Sequence, residues 1–175
     1  KYRGNVIFDL AQTEFILNDY DSSERYLNEL LKSHPKNSDI WKAYYYLARI
    51  AVSKNELDKA EGLISKSLKL KSDPASYELQ ILVLLRKDKI EESKKIVQKM
   101  LLDYPDNEFK NKAIVMYMQE LLVRGMYQDV AEFSVDLVNQ DSSYYLSFIE
   151  LMIAAYYETG DYENVLSYEK LETSS

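Results

Sequence analysis

The residues that could do chemistry are few. His34 is the one histidine and there is no cysteine, so thiolate metal sites, disulfides, Cys nucleophiles and two-histidine metal motifs are all excluded. His34 stands in Lys32-Ser33-His34-Pro35, which reads as a solvated turn between two helical segments. Glu91 and Glu92 form the most obvious carboxylate pair, yet adjacent helical residues point about 100° apart, and Lys94 and Lys95 follow them. That pattern fits a solvated face with opposite charges three or four residues apart better than an acid–base couple. The glycines stand alone at positions 4, 62, 125 and 160, so no Gly-rich loop is present to cradle a phosphate. The expectation is a protein without catalysis, cofactor or metal, whose work is done by side chains that bind.

The elements that must position such side chains are helices. In 175 residues there are only 4 Gly and 3 Pro, too few for a fold with many tight turns, and apolar residues recur at helical spacing. Tyr44, Leu47, Ala48 and Ala51 share one helix face, as do Tyr77, Ile81 and Leu84, then Ile114, Tyr117, Met118 and Leu121, then Ile149, Met152, Ile153 and Tyr156. Ile7, Leu10 and Ala11 form an earlier copy, with Glu14 at the fourth place. After each stretch comes a polar turn closed by an apolar anchor: Asn18-Asp19-Tyr20, Asn55-Glu56-Leu57, Asp88-Lys89-Ile90, Gly125-Met126-Tyr127 and Gly160-Asp161-Tyr162. Successive anchors lie 37, 33, 37 and 35 residues apart, which is the period of a two-helix repeat. Ser23, Ala60, Ser93, Val130 and Val165 follow the anchors by three residues and are small or β-branched, as close packing of two antiparallel helices requires.

On these residues the chain resembles the tetratricopeptide-repeat family over nearly its whole length. The segment Ala154-Ala155-Tyr156-Tyr157-Glu158-Thr159-Gly160-Asp161-Tyr162 is similar to the family's helix, Gly-x-Tyr turn and second helix. Pro35 and Pro105 stand where the family ends a repeat, and Pro74 lies at the threshold of the next, so all three prolines read as helix stops. The small residue that the family places after the first-helix Leu is present at Ala11 and Ala48 but replaced by Ile81, Met118 and Ile153. The resemblance implies an all-α, right-handed α-solenoid of about five helix-turn-helix repeats. Their expected bounds are 4–37, 41–74, 74–107, 111–144 and 146–175, within a single domain spanning 1–175 that reads as a segment of a longer protein. Gly62, inside a second helix, is expected to serve a close helix contact. After Val165-Leu166 the chain turns polar through Glu169, Lys170, Glu172 and Thr173, as a frayed or capping helix would.

In proteins resembling this family, the first helix of each repeat lines a concave groove. The residues just off its core stripe here are Asn5, Phe8, Gln12 and Phe15, then Lys42, Tyr45, Arg49 and Val52, then Glu78, Leu82 and Leu85. Lys112, Val115, Gln119 and Leu122 come next, followed by Glu150, Ala154 and Tyr157. Phe8, Phe15 and Tyr45 have a second reading, burial between neighbouring first helices. The places at which chaperone-binding members of the family carry a Lys and Asn carboxylate clamp hold Phe8, Gln12, Ala75 and Leu79, so the resemblance implies no such clamp. Tyrosine is abundant, 16 residues, and runs such as Tyr44-Tyr45-Tyr46 and Tyr156-Tyr157 cannot be buried on one stripe. Some therefore reach a surface, where tyrosine suits protein interfaces.

Charge sharpens the expected partner. Lys plus Arg number 22 against 29 Asp plus Glu, a net charge of −7, which gives nucleic acid or an anionic membrane no general hold. No apolar run approaches the ~20 residues of a membrane span. Residues 127–175 hold ten acids against the single base Lys170, so they carry −9, and the remaining residues +2. A protein or peptide is expected that meets hydrophobic anchors at the N-terminal end and presents Lys or Arg to the acidic end. The alternatives are self-assembly through stacked copies, and an adaptor role in a larger cytoplasmic protein. Tyr26-Leu27-Asn28-Glu29-Leu30-Leu31-Lys32-Ser33-His34-Pro35, followed by Ala43-Tyr44-Tyr45-Tyr46-Leu47-Ala48, is similar to repeats of bacterial outer-membrane assembly lipoproteins and periplasmic cell-division coordinators. That similarity implies a role in the bacterial cell envelope, in the periplasm or at the outer membrane.

Overall fold

A computed structural model describes residues 2–104, 108–140 and 144–165. Pro105 and the polar terminal segment beginning at Leu166 lie outside the described residues. The described helices are α1 (Tyr2–Ile16), α2 (Tyr20–Ser33), α3 (Ile40–Ser53), α4 (Leu57–Leu70), α5 (Pro74–Arg86), α6 (Ile90–Asp103), α7 (Glu108–Val123), α8 (Tyr127–Gln140) and α9 (Tyr144–Thr159). Residues 162–165 are also helical. The packing forms two compact units, Lys1–Lys110 and Asn111–Ser175.

Each expected turn has the same backbone. Asn18, Asn55, Asp88, Gly125 and Gly160 have φ of 62°, 57°, 60°, 72° and 76°, the left-handed conformation that Gly and Asn adopt with least penalty. The residue after each donates its N–H five residues back, from Asp19 to Glu14, Glu56 to Ala51, Lys89 to Leu84, Met126 to Leu121 and Asp161 to Tyr156, at 2.8–2.9 Å. These are Schellman closures, which satisfy the last carbonyls of one helix and reverse the chain into the next. The anchors Tyr20, Leu57, Ile90 and Tyr127 then open α2, α4, α6 and α8. Three residues on, Ser23, Ala60, Ser93 and Val130 are fully buried and Val165 nearly so. Ser23 Oγ donates to the Ala11 carbonyl at 2.8 Å, joining α2 to α1 where a larger side chain would hold them apart.

In the first unit, one core cluster gathers Ile7, Phe8 and Ala11 of α1, Leu27 and Leu30 of α2, and Ile40, Ala43, Leu47 and Ile50 of α3. A second repeats the arrangement one step along with Ala48, Ala51, Val52, Ala60, Ile64, Leu79 and Val83. In the second unit Tyr117 of α7 meets Phe133 of α8 edge-on, with ring centroids 5.1 Å apart. Ion pairs join successive repeats of the first unit. Lys54, just before the second turn, reaches Asp21 and Glu24 on α2 at 2.9 and 3.0 Å. Lys87, just before the third turn, reaches Asp58 and Glu61 on α4.

These pairs give the fold an acid-sensitive component. Hydrogen bonds from Lys54 and Lys59 hold the Glu24 carboxyl below its ordinary value of 4.5, and Lys87 and Lys89 do the same for Glu61. A carboxylate whose folded value is depressed adds stability above its unfolded value and loses it as pH falls through the folded one. The first unit should therefore lose stability as pH drops below about 4.5. The loss should be shallower in the double variant Glu24→Gln, Glu61→Gln, and partly screened by salt because the pairs lie at the surface and are only half-buried. Thermal melts from neutral pH to pH 3 in low and high salt measure this.

Four expectations are corrected. Gly62 serves no helix contact: it is exposed and nothing lies within 4 Å of where its Cβ would be, because position 62 falls on the outer face of α4. Gly62→Ala should stabilise the protein by about 0.5–1 kcal/mol through helix propensity and a less disordered unfolded chain, which urea unfolding can read. Pro74 opens a helix rather than stopping one. It is the first residue of α5, where its missing N–H costs nothing, beside the N-cap Asp73, whose side chain accepts from Ser76 N at 3.2 Å. Leu10 is 42% exposed, although its repeat equivalent Leu47 is in the first core cluster. Leu47 faces α2 of the preceding repeat, and no described helix precedes α1. His34 is half-buried rather than fully solvated, its ring so near Gly4 that a Cβ there would lie 3.3 Å away.

Candidate functional site

The first helices α1, α3 and α5 bring the expected groove residues of the first unit together unequally. Phe8 takes the second of its two readings. It is 8% exposed within the first core cluster, because the face of α1 that would look into a groove is closed by Tyr46 of α3. Tyr46 meets Phe8 with centroids 5.7 Å apart and Phe15 at 5.2 Å, both edge-to-face, and its hydroxyl accepts from Gln12 Nε2 at 2.8 Å. Phe15 and Gln12 stay half-buried. Asn5 is exposed and accepts from Asn37 Nδ2 at 3.2 Å, beside a cavity of about 570 Å³ formed with residues 33–38. Lys42 pairs with Asp39 at 2.9 Å and lies 5.7 Å from the Phe8 ring centroid.

Tyr45, Arg49 and Leu82 converge. With Tyr46, Ala75, Glu78, Leu79 and Phe109 they line a cavity of about 510 Å³ on the α3–α5 face. Helical spacing puts Tyr45 and Arg49 one turn apart on α3, and Glu78 and Leu82 likewise on α5. Arg49 lies over Phe15 at 4.5 Å, and over Tyr45 and Tyr46 at 5.7 Å each. Burial pushes the Tyr45 phenol above its ordinary value, opposed by the Arg49 charge and reinforced by Glu78. Tyr45 therefore stays a neutral hydroxyl, able to donate as well as accept. An aromatic and aliphatic floor with one cation, one carboxylate and a phenol at its edge can hold an apolar side chain and fix its orientation. The expected groove residues Val52 and Leu85 are buried instead.

In the second unit, Lys112 and Gln119 line a cavity of about 410 Å³ with Asn111, Val115, Met116 and Phe148. Tyr157, 60% exposed, lines another of about 520 Å³ with Leu122, Tyr127, Glu150, Ile153, Ala154 and Glu158. Its neighbour Tyr156 is buried, so this run divides between core and surface. Among the described residues no three His, Asp or Glu side chains cluster as metal ligands, and no helix is long and apolar enough to cross a membrane.

Reading the sequence missed Tyr46, Phe109, Phe148, Tyr127 and Glu158. Tyr46 carries a usable signal, because Tyr44-Tyr45-Tyr46 covers about 200° of the helix and one of the three must turn towards α1. Phe109 lies in the first turn of α7, ahead of the repeated pattern, and nothing in that pattern marks it.

No protein-family description matches the chain, and no curated protein matches it by sequence. Solved structures do match by shape. The MamA protein superposes with a TM-score of 0.69 at 14% identity, covering 95% of this chain and 88% of that one. YrrB, described as a TPR protein with an unusual peptide-binding site, gives 0.64 at 15% identity, covering 93% and 80%. A tetratricopeptide repeat protein from Parabacteroides merdae gives 0.58 at 14% identity, covering 100% and 81%.

Proposed function

We propose that this chain, which has the tetratricopeptide-repeat fold, is a non-catalytic scaffold that binds a protein or peptide segment along its first helices. The observation that carries the reading is the convergence of Tyr45, Arg49 and Leu82 on one cavity lined by both apolar and charged side chains. Such a cavity takes a hydrophobic anchor from a helix or extended segment, and the charged edge sets its register. Lys112 and Gln119, and separately Tyr157 with Glu150 and Glu158, offer further contacts in the second unit. The aromatic ring beside two carboxylates there suits a partner's Lys or Arg, and rising salt should weaken that part of the binding. The peptide-binding description of YrrB supports the class of activity and names no ligand for this chain.

The reading is tested by selecting binders from a displayed peptide library on the intact protein. Peptides should bind the wild type and lose binding to Leu82→Glu and Tyr45→Ala, with helicity retained in both. Leu102→Glu, at a position 78% exposed on α6, should bind as the wild type does. Equal loss in all three variants, or in none, overturns the reading. A setting in the bacterial cell envelope is the finer form of this proposal. It rests on the likeness of the Tyr26–Pro35 and Ala43–Ala48 segments to envelope repeats, and an export or lipoprotein signal on the full gene product decides it.

A further inference from the structure

We infer that Arg49 is a carboxylate receptor, and that the segment held in the α3–α5 cavity carries an Asp or Glu side chain flanked by large apolar residues. The inference rests on the peptide-binding reading above and names the chemistry of the ligand. Arg49 is half-buried, and among the described residues its guanidinium makes no ion pair. Lys42, Lys87 and Lys89, likewise half-buried, each hold a carboxylate. Glu78 lines the same cavity.

The contacts Arg49 does make are with rings: Phe15 at 4.5 Å, Tyr45 and Tyr46 at 5.7 Å. Cation–π contact uses the charge of the guanidinium and forms no ion pair, so its five in-plane N–H donors can still turn an edge to an acceptor. An edge of this geometry matches a carboxylate in a bidentate pair. The rings also hold the side chain in place before a ligand arrives, so little freedom remains to be lost on binding. Arg49 on α3 contacts half-buried Phe15 of α1 and shares its cavity with Leu82 of α5. An acid within a segment can use both, whereas a chain terminus fills one.

The test uses fluorescently labelled peptides taken from the library selection, each made with blocked termini and its acid intact, with blocked termini and Asp→Asn or Glu→Gln, and with a free C-terminus. The acidic form should bind the wild-type protein about tenfold tighter, as a charged hydrogen-bonded pair allows. The preference, read as the ratio of acidic to neutral affinity within each variant, should vanish in Arg49→Gln and shrink in Arg49→Lys. Equal binding of acidic and neutral forms to the wild type overturns the inference and leaves peptide binding standing. So does an acid preference that survives in Arg49→Gln. Tighter binding of a free C-terminus with no preference for an internal acid overturns the assignment to a side chain. Failure of every peptide to bind overturns the underlying reading along with it.

Discussion

Tyr46→Ala should destabilise the first unit by about 3 kcal/mol, the lower end of the range for removing a packed aromatic, because Tyr46 is half-buried rather than sealed. Its ring is the joint between α1 and α3, in edge contact with Phe8, Phe15 and Tyr45. The substitution also removes the acceptor for Gln12 and one of the rings under Arg49. Tyr46→Phe separates these effects. It keeps the packing and should cost about 1 kcal/mol through the unpaired Gln12 amide. Trp41 is the single tryptophan and lies in the first unit, so its fluorescence during urea unfolding reports that unit directly, with the midpoint shift giving the loss. A Tyr46→Ala protein as stable as the wild type would mean that α1 is held by other contacts.

Ala60→Leu carries the second large effect. Ala60 is fully buried on α4 in the cluster that holds Ala48 and Ala51 of α3, also fully buried. Small residues on both helices let the backbones approach, and three added carbons have no room between them. Overpacking of this kind costs about 1–3 kcal/mol, and the register of α4 against α3 should suffer with it. Ala60→Ser is the control, since Ser23 and Ser93 fill the same place in neighbouring repeats, both fully buried. It should unfold within about 1 kcal/mol of the wild type, because the Ser23 hydroxyl shows how a carbonyl of the facing helix can accept the bond.

The repeat was legible because its marks are local. A polar residue suited to positive φ, an apolar anchor two residues on and a small residue three beyond it are short-range demands of one Schellman turn and one close helix pair. Asn18, Asn55, Asp88, Gly125 and Gly160 satisfy the first of them. The convergence of Tyr45, Arg49 and Leu82 was also readable, since each lies one step off a core stripe whose period the chain repeats. Burial of Phe8 was not decided by its own helix. It depends on how α1 tilts against α3, which Tyr46 settles from 38 residues away. Gly62 and Leu10 went astray for a related reason. Periodicity says which residues share a face, but a face is covered only where a neighbouring helix lies over it.

The most direct measurement is site-specific photocrosslinking of a library-selected peptide to the intact protein. Benzoylphenylalanine would replace Leu82 in the α3–α5 cavity in one sample and exposed Leu102 of α6 in another. The account predicts peptide adducts at position 82, competed away by unlabelled peptide, and none at position 102. Competable adducts at position 102 with none at 82 would contradict it, placing recognition on the second helices.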